Sequence, residues 1–233
     1  MNPIRSCVVC GGPLGLSWLV DHFNERACRH CEGEPRCWSC NSITGGNGLR
    51  ARTVLTNGRV RCARCSTGAV DLQSDVARVV RLVRPLLHSY GIQLPNRVRV
   101  TLAATDELDQ QIPGAHGITT FEHQFGRNRV TDLKIAAGLP ATAFGRILAH
   151  EMGHGWLAGC PGQRPQAEEE GICELVGSWW LRHRGGRLAA YLLRNMRSNP
   201  DPIYGAGFRE VARQAHGKSP DQVVHLVVRT GHI

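Results

Sequence analysis

The sequence predicts an α+β protein in two parts, a small cysteine-rich module followed by a larger domain with an antiparallel-containing sheet and several helices. Three observations predict it. Eight of the ten cysteines fall within the first 65 residues, as four Cys-x-x-Cys pairs. Between residues 97 and 138 lie stretches that alternate as strands do. From Pro140 onward the apolar residues recur at helical spacing. The composition changes near residue 68, so we place the domains at 1–68 and 69–233.

In the first part the spacings are Cys7-x₂-Cys10, seventeen residues, Cys28-x₂-Cys31, then five residues, Cys37-x₂-Cys40, twenty-one residues, Cys62-x₂-Cys65. The start MNPIRSCVVC has no basic segment leading into an apolar one, so no signal peptide is expected and the compartment is read as reducing and cytoplasmic. Cysteine pairs in that setting point to metal rather than disulfides. The reading is two consecutive structural zinc sites, each closed by four thiolates. This order is similar to a LIM domain, with a cysteine in place of the usual third-ligand histidine and a longer linker between sites. A cross-braced RING arrangement is the rival; it would use His30 and leave Cys31 aside.

The net charge of +9 is spread over both parts. A cluster of Arg50, Arg52, Arg59, Arg61 and Arg64 lacks the interleaved aromatics that stack bases, so nucleic acid is not expected as a partner. Hydrophobic residues make up 42% of the chain, enough for a packed core. No apolar run approaches the roughly 20 residues that cross a bilayer, so no membrane is expected either.

The second part opens with SDVARVVRLVRPLLHSYG (74–91), whose Val76, Val79, Val80 and Val83 share a helical face, with Ser74 as expected N-cap. RVRVTLAA (97–104), GITTFEH (117–123) and NRVTDLKIAAG (128–138) read as strands, the last two joined through Gly126, Arg127 and Asn128 as a hairpin. Helices are then expected over ATAFGRILAHEMGHGWLAG, QAEEEGICELVGSWWLRHR (166–184), RLAAYLLRNMR, YGAGFREVARQAHG and SPDQVVHLVVRT, broken by PGQRP and NPDP.

HEMGH (150–154) carries the chemistry. Four residues are just over one helical turn, so His150 and His154 project from one face and can share a zinc. Glu151 beside them is the expected general base: it takes a proton from the water that zinc activates and returns it to the leaving amine. A catalytic zinc needs a third protein ligand. Cys160 sits where a metzincin has its third histidine, but Leu157 stands where that pattern needs glycine. In EEEGICE (168–174), Glu170 is the preferred ligand and Glu174 the residue that orients a ligand histidine from outside. Gly171 is read as allowing close approach to the HEMGH helix. Glu168 and Glu169 are read as answering the positive end of the helix dipole. Two histidines and a glutamate make the gluzincin pattern. The strand near Asp132–Ala136 is expected, by analogy with zinc peptidases, to pair with an extended substrate.

The ordered run LKIAAGLPATAFGRILAHEMGHGWL, EEGICELVGSWWL and PIYGAGFR resembles the LIM-domain, ubiquitin-activated zinc peptidases that restrain organ growth in plants, and their bacterial relatives. The resemblance covers residues from about 92 to 230. It implies a minimal gluzincin-type metallopeptidase domain with His150, His154 and Glu170 on the catalytic zinc and Glu151 as base. It also draws attention to Tyr204 in IYGAGF, the first choice to hold the developing oxyanion, with His216 second. The departure from the family is Gly153, where a larger residue is usual. Gly153 and Gly155 weaken the helix by up to ~1 kcal/mol each relative to alanine, and close packing of another element is the expected compensation.

The expected protein is thus a zinc endopeptidase with one catalytic and two structural zinc ions, cleaving a protein substrate that the LIM-like module helps recognise. Ubiquitin or a ubiquitin-like protein is the expected substrate or activator on the resemblance alone. The alternative from another class is a zinc-stabilised interaction adaptor without catalysis, against which the intact Glu151 argues.

Overall fold

The computed structural model describes residues 6–46, 48–95, 97–124 and 127–233. The chain forms two compact units. One runs up to Ala69 and includes Gly138–Pro140; the other comprises Val70–Ala137 and Ala141–Ile233. The architecture is α+β, with small sheets and eight helices among the described residues. None of these helices is long and apolar enough to cross a membrane.

The first unit is built of two antiparallel hairpins. Strands β1 (Trp18–Val20) and β2 (Arg26–Cys28) pair with Trp18 opposite Cys28. Strands β3 (Arg52–Val54) and β4 (Val60–Cys62) pair with Arg52 opposite Cys62, and a single turn α1 (Ala63–Ser66) follows. Each hairpin therefore ends on a cysteine. The halves are tied together by charge. Arg50, only 3% exposed, pairs with Asp21 and Glu25 from the first half, and Arg64 also reaches Glu25. Such a buried cluster fixes geometry more than it adds stability. Arg61 is buried too, donating to Ser66 Oγ at 3.0 Å and to Gly138 O at 2.9 Å. Arg52 pairs with Glu34, and Arg59 lies over the Trp38 ring at 5.0 Å. Arg50, Arg52, Arg59, Arg61 and Arg64 are thus engaged within this unit.

After the short segment β5 (Ala69–Val70), helix α2 spans Gln73–Ser89. Its buried face is Val76, Val79, Val83 and Leu87, with Val80 only half-buried. Ser74 is not its N-cap. Asp75 reaches back to accept from the backbone N–H of Leu72 at 3.1 Å and of Asp71 at 3.3 Å, and Leu72 is the N-cap, so the helix starts two residues earlier than the hydroxyl signal suggests. Strand β6 (Arg99–Ala103) follows, then helix α3 (Thr105–Gln111), which was not expected because its one buried apolar residue, Leu108, cannot show a period.

Strands β7 (Gly117–Gln124) and β8 (Arg127–Ala136) pair antiparallel, with the turn's residues 125–126 outside the described ones. Strand β6 lies parallel to β8 on its other side, giving the order β6–β8–β7. This corrects the expectation for Asp132–Ala136: it is the central strand, and β6 and β7 are the edges, β7 being the one that lines the cleft. The connection from β6 through α3 leads to β7 with one strand position left between them, and β8 returns antiparallel to β7 into that space.

After β9 (Leu139–Pro140), helix α4 (Ala141–Leu157) is buried at twelve of its seventeen positions, which makes it the centre of the second unit. Helices α5 (Gln166–Arg184), α6 (Gly186–Ser198), α7 (Tyr204–Gln214) and α8 (Pro220–Thr230) complete the unit. Glycines set their spacing. A Cβ at Gly153 would lie 3.1 Å from Cys173 Sγ and 3.2 Å from Cys173 Cα, so α5 provides the close packing expected there. Gly171, however, faces away from α4: its Cβ would sit 2.5 Å from Gly207 O on α7. The residue of α5 that lets α4 approach is Gly177, beside Arg146 O and His150 Cβ.

Candidate functional site

A polar group buried on an otherwise apolar helix must find a partner. His150 and Glu151, 8% and 6% exposed, are the buried polar residues of α4. Both line a cleft of about 780 Å³ bounded by the loop 112–116, the edge strand β7, helix α6 and Tyr204 at the head of α7.

Across this cleft α5 presents its acids one helical turn apart. His150 Nε2 and His154 Nε2 lie 3.2 Å apart, and Glu170 Oε2 lies 3.3 Å from the first and 3.4 Å from the second. Ligands at about 2.0–2.1 Å from a tetrahedral zinc are separated by about 3.3 Å, so this near-equilateral triangle has the edge a zinc site requires. Glu170 Oε2 is buried and makes no aligned hydrogen bond of its own, which leaves its lone pairs for an ion. His150, His154 and Glu170 could therefore hold a metal.

The outer partners of the two imidazoles differ. His150 Nδ1 is 3.3 Å from Glu174 Oε1, an ion-pair contact rather than an aligned hydrogen bond, and Glu174 is itself gripped by Arg146 at 3.1 Å through both oxygens. His154 Nδ1 hydrogen-bonds Glu169 Oε1 at 3.1 Å. Glu169 therefore does more than answer the helix dipole, and the sequence reading missed this. Glu168 pairs with His232 Nδ1 at 3.0 Å. The signal for Glu169 was present in the spacing: it precedes Glu170 and so flanks whatever Glu170 meets.

Electrostatics agree with a cation site. Burial disfavours the charged form of Glu170, yet the two imidazoles outweigh it and hold its carboxyl down to about 2. Glu174 is likewise brought down to about 2, with burial opposed by Arg146 and His150. Burial also disfavours a proton on His150, but Glu170 and Glu174 lift it to about 10. His154 is raised as well, burial being overcome by Cys173, Glu169 and Glu170. Carboxylates outnumber cationic side chains here, so the site favours added positive charge. One divalent ion meets that demand using the lone pairs of neutral imidazoles.

Glu151 points into the same cleft from the side of β7. Its Oε2 accepts from Thr119 Oγ1 at 2.7 Å. Tyr204 is 38% exposed, its ring centroid 6.5 Å from that of His150, and burial pushes its phenol pKa up, so it keeps its proton. His216 is exposed in the turn after α7 and does not line the cleft, and neither does Cys160. Cys160 Sγ instead meets Trp156 O at 3.6 Å. Replacing Glu170 with alanine is therefore expected to release the cleft metal, whereas Cys160→Ala retains it; metal analysis of the two purified variants checks this, and metal loss from the cysteine variant would refute the ligand assignment.

In the first unit the sulfurs gather as consecutive pairs. Cys7, Cys10, Cys28 and Cys31 form one group, and Cys37, Cys40, Cys62 and Cys65 the other. Sγ–Sγ separations are 3.8 Å for Cys7–Cys31, 3.7 Å for Cys10–Cys28, 3.6 Å for Cys28–Cys31 and 3.8 Å for Cys40–Cys62. These are far beyond a disulfide bond, and they match the edge of about 3.8 Å set by four sulfurs at about 2.3 Å from a tetrahedral zinc. Backbone N–H groups of Val9 and Cys28 point at Cys7 Sγ from 3.4 and 3.2 Å. Burial raises the Cys7 thiol's pKa, but such backbone donors bring it to about 6, as a metal-binding thiolate needs. Because Cys31 belongs to the first group, the cross-braced alternative through His30 does not hold. Two four-cysteine groups that could each bind zinc are consistent with a LIM-like module.

Residues 91–187 match the family model described as DA1-like, Protein DA1. Among curated proteins, the chain is 25% identical to Protein DA1-related 1 of Arabidopsis thaliana over 189 residues, which cover 64% of this chain and 34% of that protein. It is 26% identical to LIM domain-containing protein HDR3 of Oryza sativa subsp. japonica over 184 residues, 63% of this chain and 36% of the relative. With Protein DA1 of Arabidopsis thaliana it shares 22% identity over 267 residues, 86% of this chain and 49% of the other. The chain thus spans between about a third and a half of the length of these relatives. No solved structure matches it. Across the segment that contributes His150, Glu151, His154, Glu170 and Glu174, the chain is similar to the plant DA1 proteins.

Proposed function

We propose that the chain is a zinc-dependent endopeptidase of the gluzincin type. The observation that carries this reading is the triangle of His150 Nε2, His154 Nε2 and Glu170 Oε2, with edges of 3.2–3.4 Å, beside a buried Glu151 in an open cleft. His150, His154 and Glu170 would hold the ion, which when bound supplies the Lewis acidity that activates water and polarises the substrate carbonyl.

The chain's own residues do the rest. Glu151 takes the proton of the attacking water and gives it to the departing amine. Glu174, backed by Arg146, and Glu169 fix the two imidazoles from outside. Tyr204 keeps its proton and offers it to the developing oxyanion. The free edge of β7 can pair with an extended substrate backbone, and the loop 112–116 and helix α6 bound the space for its side chains. The LIM-like module is the part read as recognising a protein partner. One similar protein carries a LIM domain in its name. On the family resemblance, ubiquitin or a ubiquitin-like protein is the expected substrate or activator. The alternative of an inactive adaptor has no observation in its favour.

Metal removal tests the reading. Native protein is expected to hold three zinc ions, two in the cysteine groups and one in the cleft, and to cleave an unfolded protein. A chelator that strips the cleft ion should stop cleavage, and zinc should restore it. Cleavage indifferent to chelation, or none by fully loaded protein on unfolded substrates, would refute the proposal.

A further inference from the structure

Thr119 on the edge strand makes the most direct contact with the general base, and it is neither a metal ligand nor part of any motif in the sequence. We propose that Thr119 is a positioning residue: its hydroxyl holds Glu151 in place, so that one strand registers both the substrate and the base. The inference rests on the peptidase reading and deepens it.

The hydroxyl has one proton and two acceptors within reach, Glu151 Oε2 at 2.7 Å and Glu151 O at 3.0 Å. The carbonyl already serves the hydrogen-bond ladder of α4, whereas the side-chain oxygen is closer, so the hydroxyl donates to it. Threonine suits the task because β-branching stiffens its χ1 in a strand. The second oxygen is placed by a gap. A Cβ at Gly117 would come within 2.6 Å of Glu151 Oε1 and 2.9 Å of its Cγ. Gly117 and Thr119, two residues apart, share one face of β7. The first leaves room for one carboxylate oxygen and the second ties down the other. The pairing of β7 with β8 then shifts register between Thr120 and Phe121. The extra residue, Thr131, lies on β8, so β7 itself carries no insertion beside Thr119 and its outer edge runs on past that residue. A substrate strand laid on that edge would be measured from the residue that orients the base. A misplacement of about 1 Å in such a group can cost about 100-fold in rate.

The test compares Thr119→Val, which keeps the shape and loses the donor, with Thr119→Ser, which keeps the donor. In full-length protein carrying ¹³C-labelled glutamate, the side-chain carboxyl resonance of Glu151 is assigned by its absence in Glu151→Gln. We expect it to move in Thr119→Val and to stay in Thr119→Ser, with or without zinc. On an unfolded substrate we expect kcat to fall about 10- to 100-fold in the valine variant, KM to change less than about twofold, and serine to recover most of the loss. An unmoved resonance, or an unchanged kcat in Thr119→Val, overturns the inference while leaving the peptidase reading intact. Full activity in Glu151→Gln would instead remove the peptidase reading, and this inference with it.

Discussion

Glu151→Gln is expected to lower kcat on an unfolded substrate about a thousandfold while the zinc content stays at the native value. Removing a positioned general base costs about 10²- to 10⁴-fold, and the upper part of that range is expected here because Glu151 is 6% exposed and, among the described residues, the other carboxylates lining the cleft are Glu170 and Glu174. Of the other acids, Glu170 is committed to the two Nε2 atoms, Glu174 to Arg146 and His150, and Glu169 to His154. Glutamine has nearly the same shape. Its amide oxygen can still accept from Thr119 Oγ1, so the cleft should keep its form. None of the three candidate ligands is touched, so metal analysis of the variant should match that of the native protein. The amide cannot take up the proton of the attacking water, and that deficiency alone separates the two proteins. Residual activity within tenfold of native, or loss of the ion, would show that Glu151 has another role.

The site was legible in the sequence where a single helix writes it. His150 and His154 share a face by spacing alone, and Glu170 and Glu174 repeat that spacing on the next helix. Helices α5 to α8 were legible because each carries an apolar face long enough to show its period, such as Ile172, Leu175, Val176, Trp179 and Trp180 on α5. What stayed hidden depends on contacts between elements. Thr119 and Glu151 meet across 32 residues of chain, and nothing in GITTFEH marks one threonine from its neighbours. The usable hint was that strand alternation puts Gly117 and Thr119 on one side, and a glycine inside a strand often signals a close approach. The edge position of β7 was hidden for a related reason: alternation identifies strands but not their order. Gly171 was recognised as a contact glycine and assigned to the wrong helix, because a helix has neighbours on several sides and a glycine does not say which one it meets. The cysteine groups were legible because consecutive pairs in the chain are also consecutive in space.

Cys37→Ser is expected to unfold the second half of the cysteine module and to cost one zinc per chain. Cys37 is 1% exposed and belongs to a group whose four members are all buried. A serine hydroxyl does not ionise near neutral pH and is a poor zinc ligand, so three thiolates and one alcohol would be left facing one another. Structural zinc contributes on the order of 10 kcal/mol to the folding of small domains, and a unit of this size has little else to rely on. Its strands are three residues long, and β3 is exposed along its whole length. The buried Arg50 cluster cannot hold the halves together alone, since its ion pairs favour one arrangement more than they stabilise it. Trypsin provides the measurement. Arg50 and Arg61 are 3% and 5% exposed in the folded chain and should resist cleavage. In Cys37→Ser the segment 50–64 should be cut rapidly. His150→Ala should lose the cleft zinc, keep both zinc ions of the module, and retain native resistance over 50–64. Equal zinc content and equal trypsin resistance in native protein and Cys37→Ser would mean that the four sulfurs do not hold a structural ion.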